Sequence, residues 1–285
     1  MRSLLFVPGH SAKMMAKAAS SGADVLVLDL EDAVHPDSKP AARQLVVEVL
    51  DSRAAASPQL YVRVNALDTI WCAEDVEAVM PSRPDGIMLP KPFGPEDLDR
   101  LDQSMTRWEH TTRRDQTRIV AVCTETPAAT LSLAAKPWAR PRLAGLLWGG
   151  EDLSAAIGAT ANRDVDGRYT HPFALARSLC LFAAHAAGVA AIDAVFTDFR
   201  DSESLGREAD AARRDGFSAK AAIHPSQVDI INRSFTPTEA ERVWAERVLA
   251  AFDASRNGVV QIDGVMLDAP HRTQAQRIMA SLRSR

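Results

Sequence analysis

Short apolar runs alternate with longer amphipathic segments along most of the chain. The apolar runs are continuous, which indicates strands covered on both faces, and the segments between them are typical of helices. Eight such pairs predict a TIM (β/α)8 barrel. A doubly wound open sheet is the alternative, but no glycine-rich nucleotide fingerprint follows the first strand. The predicted strands are residues 3–7, 25–28, 60–64, 86–89, 118–122, 143–147, 191–195 and 219–223, and the predicted helices include 13–20, 39–50, 95–108 and 173–187.

A C-terminal segment follows the eighth predicted unit. Residues 238–253 set acidic positions against apolar ones and predict a long helix, followed by a break at Gly258, a short apolar run at 259–266 and a last helix at 270–282. A barrel closes without this tail. We therefore expect a catalytic barrel over residues 1–235 and a helical extension over residues 236–285. The extension could pack over the barrel, but we predict that it packs on a neighbouring subunit.

The composition narrows the class of protein. The 285 residues are 46% hydrophobic and 25% charged, enough for a full core, and the net charge of −4 gives no electrostatic case for nucleic-acid binding. No apolar run approaches membrane-spanning length and the N-terminus does not resemble a signal peptide, so we expect a soluble cytoplasmic protein. Cys72, Cys123 and Cys180 are widely scattered, and we expect Cys123 and Cys180, which fall within apolar runs, to be buried, inert thiols.

Two acidic residues follow adjacent predicted strands. Glu125 follows the fifth strand, and Asp152 follows a Gly-Gly bend after the sixth. The carboxyl ends of TIM-barrel strands share one face, and two carboxylates there suit a hard divalent cation that keeps positions for water and substrate. Acidic residues also favour helix starts, so Asp152 and its neighbour Glu151 could act on the helix alone. The two motifs together favour a metal site.

Other strand ends carry charged residues, and each of these residues could have either a structural or a functional role. Arg63 could pair with a nearby acid or hold a substrate carboxylate with two hydrogen bonds. Glu31 and Asp32 could cap the helix that starts near Ser38 or support metal-bound waters.

Three further strand ends carry basic residues. Lys91, between two prolines, could be a site cation or a solvated loop charge, and His10 and His224 are more typical of hydrogen-bonded structural histidines. Polar residues at every strand mouth indicate an enzyme with an anionic, oxygen-rich substrate.

Several motifs resemble those of one family and follow its order over nearly the whole chain. They are RSLLFVPGH at 2–10, LDLEDAV at 28–34, VRVN at 62–65, LPK at 89–91, ET at 125–126, GFSAKAAIHP at 216–225 and GVMLD at 264–268. By these motifs the chain resembles the citrate lyase β-subunit-like family of the HpcH/HpaI aldolase/citrate lyase superfamily, which includes malyl-CoA and citramalyl-CoA lyases. The resemblance implies a TIM barrel with Mg²⁺, or Mn²⁺, as cofactor.

The resemblance also implies roles for individual residues. Glu125 and Asp152 would hold the metal, with Glu125 among the catalytic residues, and Arg63 would bind the carboxylate of a 2-oxo acid. Phe6 and Lys17 would lie along the coenzyme A arm, with Lys17 meeting phosphate.

The pocket for the 2-oxo acid is implied in the same way. The backbone around Gly149, Gly150 and Glu151 would line it, and Ile192 and Asp193 would border it.

One implied catalytic residue lies far along the chain. Asp268 corresponds to an acid–base aspartate that a neighbouring subunit contributes, although by pattern alone it would pass as a helix cap. Two positions and one loop depart from the family. Ser11 replaces an arginine of the CoA phosphate site, and Ala219 replaces a glycine. The loop 161–171 does not match and is expected to tune substrate choice.

The reaction so implied is the cleavage of a 3-hydroxyacyl-CoA thioester into a 2-oxo acid and an acyl-CoA by a homo-oligomer, a trimer or a dimer of trimers. Neither nucleic acid nor membrane is an expected partner. The alternatives are a malyl-CoA thioesterase, a class II 2-oxo-acid aldolase without a CoA site, and a citrate lyase subunit that docks an acyl carrier protein. The acyl group is not fixed by the sequence.

Overall fold

The barrel predicted from the apolar runs is confirmed. A computed structural model describes residues 1–54, 57–112, 116–255 and 258–283. Eight parallel strands close into a barrel in sequence order, with the last strand pairing with the first, which rules out the open sheet. The strands are β1 Ser3–Pro8, β2 Val25–Asp29, β3 Gln59–Arg63, β4 Gly86–Leu89, β5 Arg118–Val122, β6 Leu143–Leu147, β7 Ala190–Asp193 and β8 Ala219–Ala222.

Helices connect the strands and cover the outside of the barrel. The chain divides into two compact units, Met1–Asn232 and Arg233–Arg285. None of the helices in the described ranges has both the length and the apolar character needed to cross a membrane. The helices are α1 Ala12–Ala18, α2 Lys39–Asp51, α3 Trp71–Val79, α4 Glu96–Thr112, α5 Pro127–Ala135, α6 Gly150–Ile157, α7 His171–Ala187, α8 Ser202–Asp215, α9 Val228–Ser234, α10 Glu239–Ala254 and α11 Ala269–Arg283.

The two-residue period of the strands decides which side chains enter the barrel. Val25 and Val27 of β2 pack in the interior cluster, and so does Tyr61 of β3. Two residues further on, the same inward positions are Asp29 and Arg63, which are register partners at the carboxyl ends of their strands. The apolar interior therefore ends in charged residues at one mouth of the barrel.

The C-terminal unit is built on its own small core. Helix α10 starts with a capping box between Thr238 and Glu241, as the sequence TxxE favours. The apolar run at 259–266 forms a hairpin of β9 Val260–Ile262 and β10 Val265–Leu267, in which Asp263 and Gly264 adopt positive φ of 50° and 82°. This pair of residues is typical of a tight hairpin turn.

Candidate active site

A pocket opens at the carboxyl ends of the barrel strands, where charged residues succeed the apolar interior. It encloses about 520 Å³ with its open mouth. The lining combines charged and apolar residues. Its lining consists of Phe6, Arg63, Val122, Glu125, Leu147, Trp148, Gly149, Gly150, Glu151, Asp152, Tyr169, Ala194 and Val195.

Glu125 and Asp152, the predicted metal pair, both line this pocket. The Glu125 side chain is buried, and its Oε2 accepts a 2.6 Å hydrogen bond from the backbone N–H of Lys91. Burial raises the pKa of Glu125 well above its usual range, and the negative charges of Glu31 and Asp152 raise it further. The pocket thus holds more negative charge than its own cations neutralise, which is the electrostatic condition for binding a cation.

Lys91 belongs to the site and is not a solvated loop charge. Its Nζ lies 2.6 Å from Glu31, 2.8 Å from Asp32 and 3.3 Å from Asp152. Burial opposes the charged form, but the hydrogen bonds to Asp32 and Glu31 outweigh burial and raise the pKa of Lys91. The alternative in which Glu31 and Asp32 cap the helix that starts near Ser38 is wrong, because the N-cap residue of α2 is Ser38 and no side chain caps this helix by a hydrogen bond. Both acids orient Lys91 instead.

Arg63 is held by acids within the barrel. Its Nε and Nη2 donate to the two carboxylate oxygens of Asp29 at 2.8 and 2.7 Å. Its Nη1 lies 3.0 Å from Oε2 of Glu31, although that buried oxygen accepts no hydrogen bond from the described residues. Asp29 therefore occupies the fork and Glu31 is the ion-pair partner of Nη1, so a substrate carboxylate would have to share the guanidinium with these two acids. Sequence reasoning did not single out Asp29, but its inward position two residues after Val27 is the signal.

The start of α6 faces the pocket. Gly149 precedes the helix without a side-chain cap, so the first N–H groups of α6 are available to an anion. Thr124 holds the bend, since its Oγ1 accepts from the Gly149 N–H at 2.8 Å. A Cβ at Gly149 would lie 2.8 Å from Cγ of Glu125. Glycine here lets the helix start approach the buried carboxylate.

Ile192 and Asp193, which are predicted to border the pocket, are not among its lining residues. Ile192 belongs to the barrel interior below the pocket, and the next inward position, Ala194, lines the pocket together with Val195. Asp193 points to the opposite side of β7. It is fully buried and accepts from Lys220 Nζ at 2.8 Å, Arg177 Nε at 3.0 Å and Trp148 Nε1 at 2.7 Å.

These partners also explain the ionisation of Asp193. Burial alone would raise its pKa, but the positive charges of Lys220 and Arg177 outweigh burial and lower it. Asp193 anchors the indole of Trp148, which lines the pocket, and is not itself a lining residue.

The predicted CoA-arm residues are separated in the structure. The Phe6 ring lines the pocket, with its centroid 4.9 Å from the guanidinium carbon of Arg63. Lys17 is exposed in α1 and is not among the lining residues. His10 is exposed as well, and His224 caps the turn Pro225–Gln227, as the structural reading of this histidine predicts. The contact of Lys17 with phosphate stays a prediction.

Asp268 lies in the C-terminal unit, directly before α11. Its side chain is about half exposed, and Oδ1 lies 2.7 Å from Nδ1 of His271. Its backbone carbonyl accepts from the N–H groups of His271 and Arg272. The carboxylate is therefore accessible to a ligand.

A parallel barrel with a carboxylate pair, an arginine and a free helix start around one pocket defines a TIM-barrel enzyme for anionic substrates. The sequence profile of the HpcH/HpaI aldolase/citrate lyase family matches residues 2–225, and the chain belongs to this family. The resemblance inferred from the motifs is thereby confirmed.

Curated relatives from three sources are similar over almost the whole chain. A (3S)-malyl-CoA thioesterase from Cereibacter sphaeroides is 34% identical, covering 98% of this chain and 93% of the relative. The citrate lyase subunit beta of Leuconostoc mesenteroides is 34% identical, covering 98% and 92%. The mitochondrial citramalyl-CoA lyase of Rattus norvegicus is 33% identical, covering 98% and 85%.

A solved structure matches the fold. CitE from Mycobacterium tuberculosis, in complex with magnesium, acetoacetate and coenzyme A, superimposes with a TM-score of 0.81 at 34% identity. The match covers 98% of this chain and 97% of CitE. The similarity extends through both units of the chain.

Proposed function

We propose that this protein is a magnesium-dependent carbon–carbon lyase, which cleaves a 3-hydroxyacyl-CoA thioester of the malyl or citramalyl type into a 2-oxo acid and an acyl-CoA. The observation that carries the proposal is the pocket that brings Glu125, Asp152, Arg63 and the start of α6 together. Relatives named as a citramalyl-CoA lyase and a citrate lyase subunit, and a relative structure in complex with magnesium and coenzyme A, support it.

The residues of the pocket fit a divalent cation. The described residues contain no cluster of three or more protein ligands for a metal, so Glu125 and Asp152 would hold it as a pair and leave positions for water and substrate. Burial, and after it the negative charges of Glu31 and Asp152, raise the pKa of Glu125, and a cation between the two carboxylates would act in the opposite direction. When bound, magnesium supplies positive charge that favours loss of the substrate hydroxyl proton.

The protein's own groups orient the substrate. Nη1 of Arg63 and the N–H groups at the start of α6 would bind the carboxylate that becomes part of the 2-oxo acid. The hydroxyl proton would pass to a base, for which Asp268 of a neighbouring copy or a water that it holds is the candidate. The hydroxyl oxygen then becomes the carbonyl oxygen of the 2-oxo acid as the carbon–carbon bond breaks, and the electron pair of that bond leaves with the acyl-CoA as an enolate. Asp268 of a neighbouring copy, or a water that it holds, would protonate the enolate carbon. This role requires a homo-oligomer, which we propose to be a trimer or a dimer of trimers.

One experiment separates this function from its alternatives. Malyl-CoA and citramalyl-CoA are incubated with the purified chain, with Mg²⁺ or with chelator, and the 2-oxo acid and the free CoA thiol are measured separately. A lyase releases the 2-oxo acid without free thiol. A thioesterase, the activity named for one relative, releases free thiol without 2-oxo acid. Inactivity on CoA thioesters but cleavage of an acyl-carrier thioester would indicate the citrate lyase subunit instead.

Arg63→Lys tests the carboxylate clamp. The variant keeps the charge but loses the planar fork, so it releases Asp29 and reduces contact with the substrate. We expect kcat/KM for cleavage to fall about 100-fold, since one lost hydrogen bond to a charged group costs about 1.5–3 kcal/mol. The measurement is steady-state kinetics below the melting temperature of the variant. Parental kcat/KM combined with a lowered Tm would mean that Arg63 only stabilises the barrel.

A further inference from the structure

The loop at 161–171, which the family motifs do not cover, forms a small hairpin beside the pocket. Arg163 and Tyr169 pair across it as an antiparallel bridge. Asp164 closes the turn, since its Oδ1 accepts from the N–H groups of Asp166 and Arg168 at 3.0 and 2.9 Å. Asn162 ties the hairpin to the pocket through a 2.8 Å hydrogen bond to Glu151. The loop is thus an ordered, hydrogen-bonded hairpin that carries Tyr169.

The Tyr169 ring is fixed from two sides. On one side it packs edge-on against Trp148, with ring centroids 4.7 Å apart. On the other side the guanidinium of Arg163 lies over it, 3.8 Å from the centroid, and also donates to the Tyr169 hydroxyl. Arg163 in turn pairs with Glu208 at 2.7 Å, and Glu208 pairs with the buried Lys220 at 2.8 Å. The ring therefore rests on an ion-pair network anchored in the barrel.

Tyr169 separates two cavities. One is the candidate active site; the other, about 1600 Å³ with its open mouth, lies along α7 and α8. Among the described residues only Tyr169 lines both. The apolar residues Trp148, Ala194 and Val195 line the same pocket as Tyr169, and Trp148 is in ring contact with it. The carboxylate of a bound 2-oxo acid is proposed to meet Nη1 of Arg63 and the start of α6, so the apolar lining is left for the rest of that acid.

We propose that Tyr169 is the residue that sets the upper size of the 2-oxo acid, by closing the apolar end of the pocket against the neighbouring cavity, and that Arg163 positions its ring. The proposal rests on the proposed lyase function and names a size limit within it. Removal of the ring connects the two cavities, and a longer alkyl chain then has room.

The test measures the reverse reaction, condensation of acetyl-CoA with a 2-oxo acid in the presence of Mg²⁺. The substrates are glyoxylate, pyruvate, 2-oxobutyrate and 2-oxopentanoate, and the readout is the ratio of kcat/KM for 2-oxopentanoate to that for glyoxylate. Tyr169→Ala should raise this ratio at least about tenfold, since pocket discrimination by one methylene is worth about 10–200-fold. Arg163→Met should raise it in the same direction, by less.

Two controls isolate the ring. Tyr169→Phe keeps the ring and loses the hydroxyl, so its ratio should equal the parental one. Val165→Ala changes the fully exposed tip of the same hairpin and should also leave the ratio unchanged. If Tyr169→Ala lowers Tm below the assay range, Tyr169→Leu, which removes the ring but keeps an apolar side chain, replaces it in the same assay.

The outcomes distinguish the two proposals. A parental protein that condenses none of the four acids contradicts the lyase function. A parental protein that is active, with a ratio unchanged in both Tyr169→Ala and Tyr169→Leu, overturns the size limit alone. A rise in Tyr169→Phe equal to that in Tyr169→Ala would assign the effect to the hydroxyl and also overturn the role of the ring. An unchanged ratio in Arg163→Met would remove Arg163 from the proposal.

Discussion

Glu125→Gln should reduce magnesium-dependent cleavage by about 1000-fold or more, because the metal contributes several kcal/mol to the barrier reduction. The variant should fold, since the glutamine oxygen can still accept the hydrogen bond from the Lys91 N–H. Asp152→Asn removes the other carboxylate of the pair and should act in the same direction. The measurement is release of the 2-oxo acid as a function of Mg²⁺ concentration.

Thermal melting provides a readout of the same prediction that does not depend on activity. Saturating Mg²⁺ should raise the Tm of the parental protein. At a free Mg²⁺ concentration of 100 times Kd, binding stabilises the folded state by about 2.7 kcal/mol. Glu125→Gln should lose this increase. In chelator it should melt above the parental protein, because burial raises the pKa of Glu125 and the ionised carboxylate destabilises the fold. Glu203→Gln, an exposed change on α8, is the control. Full activity of Glu125→Gln in chelator would remove the residue from the metal site.

Asp268→Asn should abolish cleavage with little change in Tm. Asparagine caps helices about as well as aspartate, so a purely structural role predicts a nearly neutral variant. The acid–base role requires the ionisable carboxylate and predicts a loss. Asp263→Asn is the matched control, since it alters another exposed aspartate of the same unit, one paired with Arg247. We expect parental kcat for this control.

Mixed oligomers decide which copy Asp268 serves. Asp268→Asn and Glu125→Gln protomers are combined under conditions of subunit exchange. If each site takes Glu125 from one copy and Asp268 from the next, an equal mixture should regain about a quarter of the parental activity, since each residue is intact with even odds. Absence of recovery, with exchange verified by mass, would assign Asp268 to its own barrel or to no site.

The barrel was predictable because its strands are buried on both faces and therefore read as unbroken apolar runs. The two metal-pair candidates were predictable for a related reason, since strand ends converge on one mouth whatever their separation in sequence. Both inferences need only the order of elements. The structure accordingly places Glu125 and Asp152 in one pocket.

What the sequence did not disclose depends on the direction of individual side chains. Asp193 follows an apolar strand as Glu125 does, yet its position on the outward side of β7 buries it against Lys220. Tyr169 reaches the pocket through a hairpin that is held by the ion pair of Arg163 and Glu208, two residues that lie 45 positions apart in the sequence. Such contacts arise from tertiary packing and leave no local pattern.

The closed barrel has a consequence for association between copies. Every barrel strand is paired on both sides, so the barrel presents no free backbone edge on which another chain could add a strand. Within the described ranges, the unpaired strand edges are those of β9 and β10, each three residues long. Strands this short offer few backbone N–H and C=O groups to a strand of another chain. Backbone pairing between copies is thus limited, among the described residues, to these short edges, and side-chain contacts are the means by which the sequence can specify association.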